Sequence, residues 1–327
     1  MVAGFQEAGC RKSRLPLTVD TIIKKYCIFT LNFKALPSPT IHFNKTRLAP
    51  TPSGFLHLGN VLSFVITVTL ARKTGAKILL RIDDLDQLRV DKRYIQDIFD
   101  TLNFLQIPWD EGPRDAGEFE SRYAQLCRME MYRAALAQLA AQGKVFACAC
   151  SRKQLLKAGA CNCIDLQIPL NSENTTWRLI TDSNQELTVK NTNGDNTPAE
   201  LPDEMRHFVV KKKDGFPAYQ LTSLIDDLFY GVDVVVRGED LWPSTLAQHQ
   251  LAFTLGKDHF NKISFYHHSL LMAQGGGKLS KSAGATSVKY LRDNGKSKGD
   301  IFAQIAANLG IKQAVTDWQQ LGAILIP

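Results

Sequence analysis

From residue 44 onward, short apolar runs alternate with longer stretches whose apolar positions recur at helical spacing. Residues 46–49 read as a strand and 58–73 as a helix. The stretch 61–71 of that helix is almost wholly apolar until Arg72 and Lys73 end it. That is well short of the roughly 18–20 residues a bilayer requires, so it reads as a core helix. Residues 77–82 (KILLRI) read as a buried strand. Ile95, Ile98, Phe99, Leu102 and Leu105 then mark a helix over 94–105. A second helical region, 119–142, stops at Gly143. The stretch 143–217 breaks the rhythm and contains a polar loop, 181–203, rich in Asn, Thr and Asp. The alternation resumes with a helix at 219–228, a strand at 232–237 and a helix at 244–255. Helical stretches at 301–309 and 318–325 follow. Strand and helix signals in this order predict an α/β fold built of βαβ units around a parallel sheet.

In such a sheet a nucleotide lies beyond the carboxyl ends of the strands, where the strand order switches. Residues 50–60 follow the first strand and 237–240 end a later one, which places both at that edge. The segment Arg47-Leu-Ala-Pro50-Thr51-Pro-Ser-Gly-Phe-Leu-His57-Leu-Gly59-Asn60 predicts a strand, a turn and a helix start. A helix N-terminus offers free N–H groups and partial positive charge to a phosphate. Far away in sequence, Gly275-Gly-Gly-Lys278-Leu279-Ser-Lys281-Ser282 is a glycine-hinged basic loop that can close on the same phosphates. His-Leu-Gly-Asn alone reads equally well as a helix cap, and the basic loop alone as a solvated turn. Their order within one α/β domain joins them into one anion site.

The net charge of +7 suits a polyanionic partner such as RNA, although a merely basic surface has the same balance. Of seven cysteines, Cys148, Cys150, Cys161 and Cys163 form a CxC-x10-CxC set. Four thiolates at short spacing suit a closed tetrahedral zinc site, the alternative being a group of free thiols. No secretory signal is evident, which weighs against disulfides.

Together these segments resemble the His-Ile-Gly-His and Lys-Met-Ser-Lys-Ser signatures of class I aminoacyl-tRNA synthetases. Arg47-Leu-Ala-Pro-Thr-Pro-Ser-Gly, Leu80-Arg-Ile-Asp83-Asp-Leu-Asp86, Ala218-Tyr219-Gln-Leu and Val236-Arg237-Gly-Glu-Asp-Leu241 are similar to the glutamyl/glutaminyl branch. The resemblance implies a Rossmann-like class I catalytic domain with a zinc-containing insertion, acting with ATP and Mg²⁺. It implies that Pro50, His57, Gly59 and Asn60 meet ATP, that Lys281 holds the leaving pyrophosphate and that Lys278 assists. It further implies that Arg47 and Arg237 take the substrate's side-chain carboxylate, that Asp83 takes its ammonium, and that Thr51 and Tyr219 complete the pocket. A bidentate guanidinium suits a carboxylate independently of any family. Asn60 stands for a usual His and Leu279 for a usual Met. Asp83 stands where glutamyl enzymes carry Glu, nearer the glutaminyl pattern. Cys161 stands where related truncated enzymes place a Tyr zinc ligand.

The implied organisation is an N-terminal extension (1–43), a first catalytic half (44–144), a zinc-containing acceptor-type insertion (145–217) and a second catalytic half with the basic loop (218–290). A short helical stub (291–327) follows. With 45 residues after Ser282, too few for a typical independent domain, the expectation is a chain without an anticodon-binding domain. That shortened form resembles the glutamyl-Q tRNA(Asp) synthetases, a family that activates glutamate without tRNA and transfers it to queuosine of tRNA(Asp). The expectation is a cytoplasmic enzyme with tRNA and glutamate as partners, no membrane and no obligate protein partner. The alternatives are a minimal glutamyl- or glutaminyl-tRNA synthetase, another nucleotidylyltransferase, and a catalytically silent RNA-binding paralogue.

Overall fold

The structure, a computed structural model, describes residues 42–151, 153–155, 161–182, 184–271 and 287–327. Lys278 and Lys281 of the basic loop, and all but the last two residues of the N-terminal extension, lie outside the described residues.

Strand β1 (Lys45–Leu48) leads through helix α1 (Leu58–Thr74) to the parallel strand β2 (Lys77–Leu80), a βαβ unit within two residues of the expected boundaries. Helix α1 is apolar nearly all round and accordingly lies inside the core. It ends on Gly75, whose φ of 78° closes the helix in the left-handed region, which suits glycine. Helix α2 (Lys92–Phe104) follows, capped by Asp91.

The expected helix over 119–142 is broken. Ala124, at ψ 143°, interrupts it, and only α3 (Met129–Ala141) is regular α-helix. Buried polar groups account for the break. The Gln125 N–H donates to Asp84 Oδ1 at 2.8 Å, and the Gln125 Oε1 accepts from Leu85 N–H at 2.8 Å. Continuing the helix would leave these groups unsatisfied.

Residues 145–217 divide between two sheets. Strands β3 (Val145–Cys148), β4 (Thr176–Leu179) and, further along, residues 209–211 form one antiparallel sheet. Between them the supposed polar loop is a hairpin of β5 (Leu187–Asn191) and β6 (Asn196–Ala199). Leu187 and Val189 face inward with polar residues between them, the two-residue period of a half-buried strand. Residues 209–211 are β7 (Val209–Lys211).

The remaining elements are α4 (Tyr219–Phe229), β8 (Val234–Gly238), α5 (Trp242–Thr254), β9 (Ser264–His268), α6 (Val288–Asp293), α7 (Lys298–Asn308) and α8 (Trp318–Leu325). Strand β9 pairs in parallel with β8 on one side and β5 on the other. Asp233 joins this sheet to β1. Its carboxylate accepts from the N–H groups of Asn44 and Lys45, and its own N–H donates to the Lys45 carbonyl. The carboxyl ends of β1 and β8 thereby emerge side by side, carrying Arg47 and Arg237. One apolar core packs α1, α2, α7 and α8 about β1 and β2, and a second packs α3, α4 and α5 about β5 and β9. No described helix is long and apolar enough to cross a membrane.

Candidate functional site

Beyond β1 the chain turns through Pro50 and Thr51 into the start of α1. The His57 Nδ1 accepts from Gly59 N–H at 3.1 Å, and the Asn60 Oδ1 accepts from His57 N–H at 3.0 Å. The pair forms a reciprocal cap of the helix N-terminus. Gly59 permits it, because a Cβ there would stand 3.0 Å from the His57 imidazole. His57 also bridges Ser287, and Val288 N–H donates to the Leu56 carbonyl at 2.7 Å. The chain therefore returns from the basic-loop segment directly beside this turn.

Under the turn lies a layer of buried charge. Asp83 follows β2, its N–H donating to the Pro50 carbonyl at 3.0 Å. Arg81 holds Asp83 in a fork, Nε to Oδ1 at 2.7 Å and Nη2 to Oδ2 at 3.1 Å, while its Nη1 donates to Asp227 Oδ1 at 2.7 Å. Arg47 donates from Nε to the same Asp227 oxygen at 3.2 Å and from Nη1 to the Val236 carbonyl at 3.2 Å. Burial pushes the Asp83 carboxyl above its ordinary value, with the Arg81 charge opposing that shift. A buried arginine with anionic partners on both sides is held charged, and Arg81 stays well above its ordinary value although burial pulls it down.

Arg237, at the end of β8, is 3% exposed and is treated differently. Its Nη1 donates to the neutral Gln248 Oε1 at 3.1 Å. Its Nε and Nη2, the edge that takes a carboxylate side-on, have no hydrogen-bond partner among the described residues. The guanidinium lies 5.1 Å from the Phe265 ring centroid. Burial pulls its pKa down to about 10, with neighbouring Arg47 adding to the fall and Tyr219 opposing it. Asp227 Oδ2 likewise has no hydrogen-bond partner among the described residues.

A cavity of ≈ 760 Å³ opens over this layer and brings Thr51, Asp83 and Tyr219 together with Arg178, Lys212 and Lys213 from the 145–217 region. Tyr219 stands at the first turn of α4 and is 41% exposed. Lys213 Nζ donates to the Ala149 carbonyl at 3.0 Å, which ties the turn after β7 to the cysteine segment.

The sulfurs of Cys148, Cys150, Cys161 and Cys163 all lie within 4.8 Å of one another. Cys148–Cys161 is 3.4 Å, Cys150–Cys163 3.5 Å and Cys150–Cys161 3.9 Å. Thiolates about 2.3 Å from a shared ion in a tetrahedron are separated by about 3.8 Å, so the four thiols fit one metal ion. Burial works against ionising Cys148, but hydrogen bonds from Arg178 and Cys161 bring its pKa down to about 7. The cluster packs against Phe146, Ile164 and Ile168.

Arg81, Asp226, Asp227 and Gln248 complete this layer and were not among the residues expected from sequence. Asp226, beside Asp227 on α4, sits in a full cage. Arg128 donates to both its oxygens at 2.8 and 3.0 Å, Tyr132 Oη donates at 2.6 Å and Gln125 Nε2 at 3.0 Å. Only Arg81, inside the Leu-Arg-Ile-Asp-Asp segment, carried any signal in sequence.

Comparison with known proteins fits this geometry. A family model for the class I tRNA synthetase (E and Q) catalytic domain matches residues 44–316. The chain is 34% identical to the glutamyl-Q tRNA(Asp) synthetase of Symbiobacterium thermophilum, over 81% of this chain and 86% of that protein. It is 31% identical to glutamate–tRNA ligase 2 of Syntrophus aciditrophicus, over 77% of this chain but 54% of that protein. A glutamate-tRNA synthetase structure from Elizabethkingia anophelis aligns with a TM-score of 0.66 at 20% identity, covering 86% of this chain and 65% of that one, a likeness of fold alone.

Proposed function

The chain belongs to the glutamyl and glutaminyl class I tRNA synthetase family, and on that premise we propose that it activates glutamate with ATP, without tRNA, and transfers the glutamyl group to queuosine in the anticodon loop of tRNA(Asp). The open edge of Arg237 carries the choice of amino acid. A glutamate side chain supplies two acceptor oxygens and a counter-charge to that edge. Glutamine supplies one acceptor and turns its own N–H₂ against a donor. A site built for a charged group rejects the amide because its buried donors then stay unpaired.

In this reading Arg237 and Arg47 orient the side-chain carboxylate, Asp83 takes the α-ammonium, and Thr51 and Tyr219 border the substrate. The α-carboxylate then attacks the α-phosphorus of ATP, forming the glutamyl adenylate as pyrophosphate leaves. Pre-placed donors serve that step better than an acid–base pair, since charge builds on phosphoryl oxygens. His57, Gly59 and Asn60 at the helix start, with Pro50 in the turn before it, would border ATP. Lys281 and Lys278 would hold the pyrophosphate. Mg²⁺ supplies charge neutralisation at the phosphates when bound. Cys148, Cys150, Cys161 and Cys163 would hold a structural zinc ion that shapes the region meeting tRNA.

Queuosine as acceptor is supported by the name shared by two relatives that match 86% of their length, from Symbiobacterium thermophilum and Nitratidesulfovibrio vulgaris. A second reading, a minimal synthetase charging a tRNA 3′ end, is favoured by Asp83, whose short carboxylate follows the glutaminyl pattern. Transfer of labelled glutamate to tRNA from queuosine-containing and queuosine-lacking cells separates the two. Label confined to queuosine-bearing tRNA is the expected outcome. Equal labelling of both pools would favour the second reading and overturn the first.

A further inference from the structure

Gln248, on α5, is fully buried, and apart from the Arg237 Nη1 hydrogen bond its amide is unsatisfied, Nε2 having no partner among the described residues. An unpaired buried N–H group is costly. A glutamate at this position would occupy the same volume, remove that group and set a counter-charge against a buried cation. The fold alone would favour the acid, yet the chain carries the amide. The other two arginines of the layer do have acidic partners, Arg47 through Asp227 and Arg81 through Asp83 and Asp227.

We propose that Gln248 is the positioning and specificity residue of the amino-acid pocket. Its neutral oxygen anchors Arg237 Nη1 and so holds the Nε–Nη2 edge open for the substrate. Its lack of charge leaves the Arg237 cation uncompensated, so that an acidic side chain is selected over its amide. This deepens the glutamate-activating reading and rests on it.

The test is ATP–pyrophosphate exchange with glutamate and with glutamine, for the wild-type chain, Gln248→Glu and Gln248→Met, each with a thermal melt. For Gln248→Glu, kcat/KM for glutamate should fall roughly tenfold to a hundredfold, mainly through KM, as an ion pair at Nη1 neutralises the cation that the substrate's carboxylate would otherwise meet. The preference for glutamate over glutamine should collapse with it, while the melting temperature stays level or rises. Gln248→Met removes the anchor without adding charge, so it should lose less and keep the preference for the acid. The inference is overturned if Gln248→Glu keeps the wild-type preference, whether activity is unchanged or both substrates fall together. It is also overturned if Gln248→Met loses the preference equally. A wild-type chain that exchanges with neither amino acid overturns the activity itself, and the inference with it.

Discussion

Arg81 and Arg237 are both buried arginines of the same charged layer, and they differ in one edge. Arg81 presents its Nε–Nη2 fork to Asp83 and its third nitrogen to Asp227. Arg237 gives its Nη1 to a neutral amide and leaves the same fork open. Their ionisation follows the difference: Arg81 is held above its ordinary value, while burial pulls Arg237 down to about 10. A buried charge costs several kcal/mol unless it is paired and hydrogen-bonded. A filled fork therefore belongs to the scaffold, whereas an open one stores binding capacity for a group that arrives later.

Removing each cation separates the two roles. Arg81→Met strands Asp83 and Asp227 without their main cation and should cost about 3–5 kcal/mol in urea unfolding. Arg237→Met strands no anion, so its stability should match or exceed wild type, while glutamate kcat/KM in pyrophosphate exchange falls roughly a hundredfold. Equal destabilisation by the two variants would erase the distinction. Away from this pair, Cys161→Ser should cut bound zinc from about one per chain to near none by metal analysis. Exchange without tRNA should fall far less than in Arg237→Met, because of the four cysteines only Cys150 is among the residues that line the cavity with Thr51, Asp83 and Tyr219.

The smallest effect is one of pH. His249 is buried against Phe260 and Phe265, and burial lowers its pKa from 6.5 to about 4, with Asn261 opposing the shift. The unfolded chain binds this proton more readily. The stability it confers is therefore full above pH 6.5 and declines as pH falls toward 4, by roughly 1 kcal/mol per unit. His249→Phe should flatten that part of a stability–pH curve. An unchanged curve would mean that His249 titrates normally.

Much of the frame was legible because its signals are local. The strand–turn–helix around His57 falls within one residue of its expected bounds, and the four cysteines lie close in sequence as in space. Arg47, Asp83 and Arg237 stood out because each lies in a segment that resembles the glutamyl/glutaminyl branch. Asp226 and Asp227 did not stand out, since their roles arise from partners distant in sequence: Asp226 meets Arg128 across 98 residues and Asp227 meets Arg47 across 180. Gln248 is only 11 residues from Arg237, but a neutral amide within a helix carries no signal of its own. The same tertiary demand broke the helix at Ala124, where Gln125 serves Asp84 and Leu85. The β5–β6 hairpin was hidden by composition. Its inward positions are few, and its polar residues read as a loop until β9 supplies a partner strand.

ATP–pyrophosphate exchange by the wild-type chain in the absence of any tRNA, with glutamate and glutamine in parallel, reads the role of the open Arg237 edge directly. The open fork of Arg237 predicts robust exchange with glutamate and far weaker exchange with glutamine. Exchange that prefers glutamine, or that appears only when tRNA is added, would contradict it.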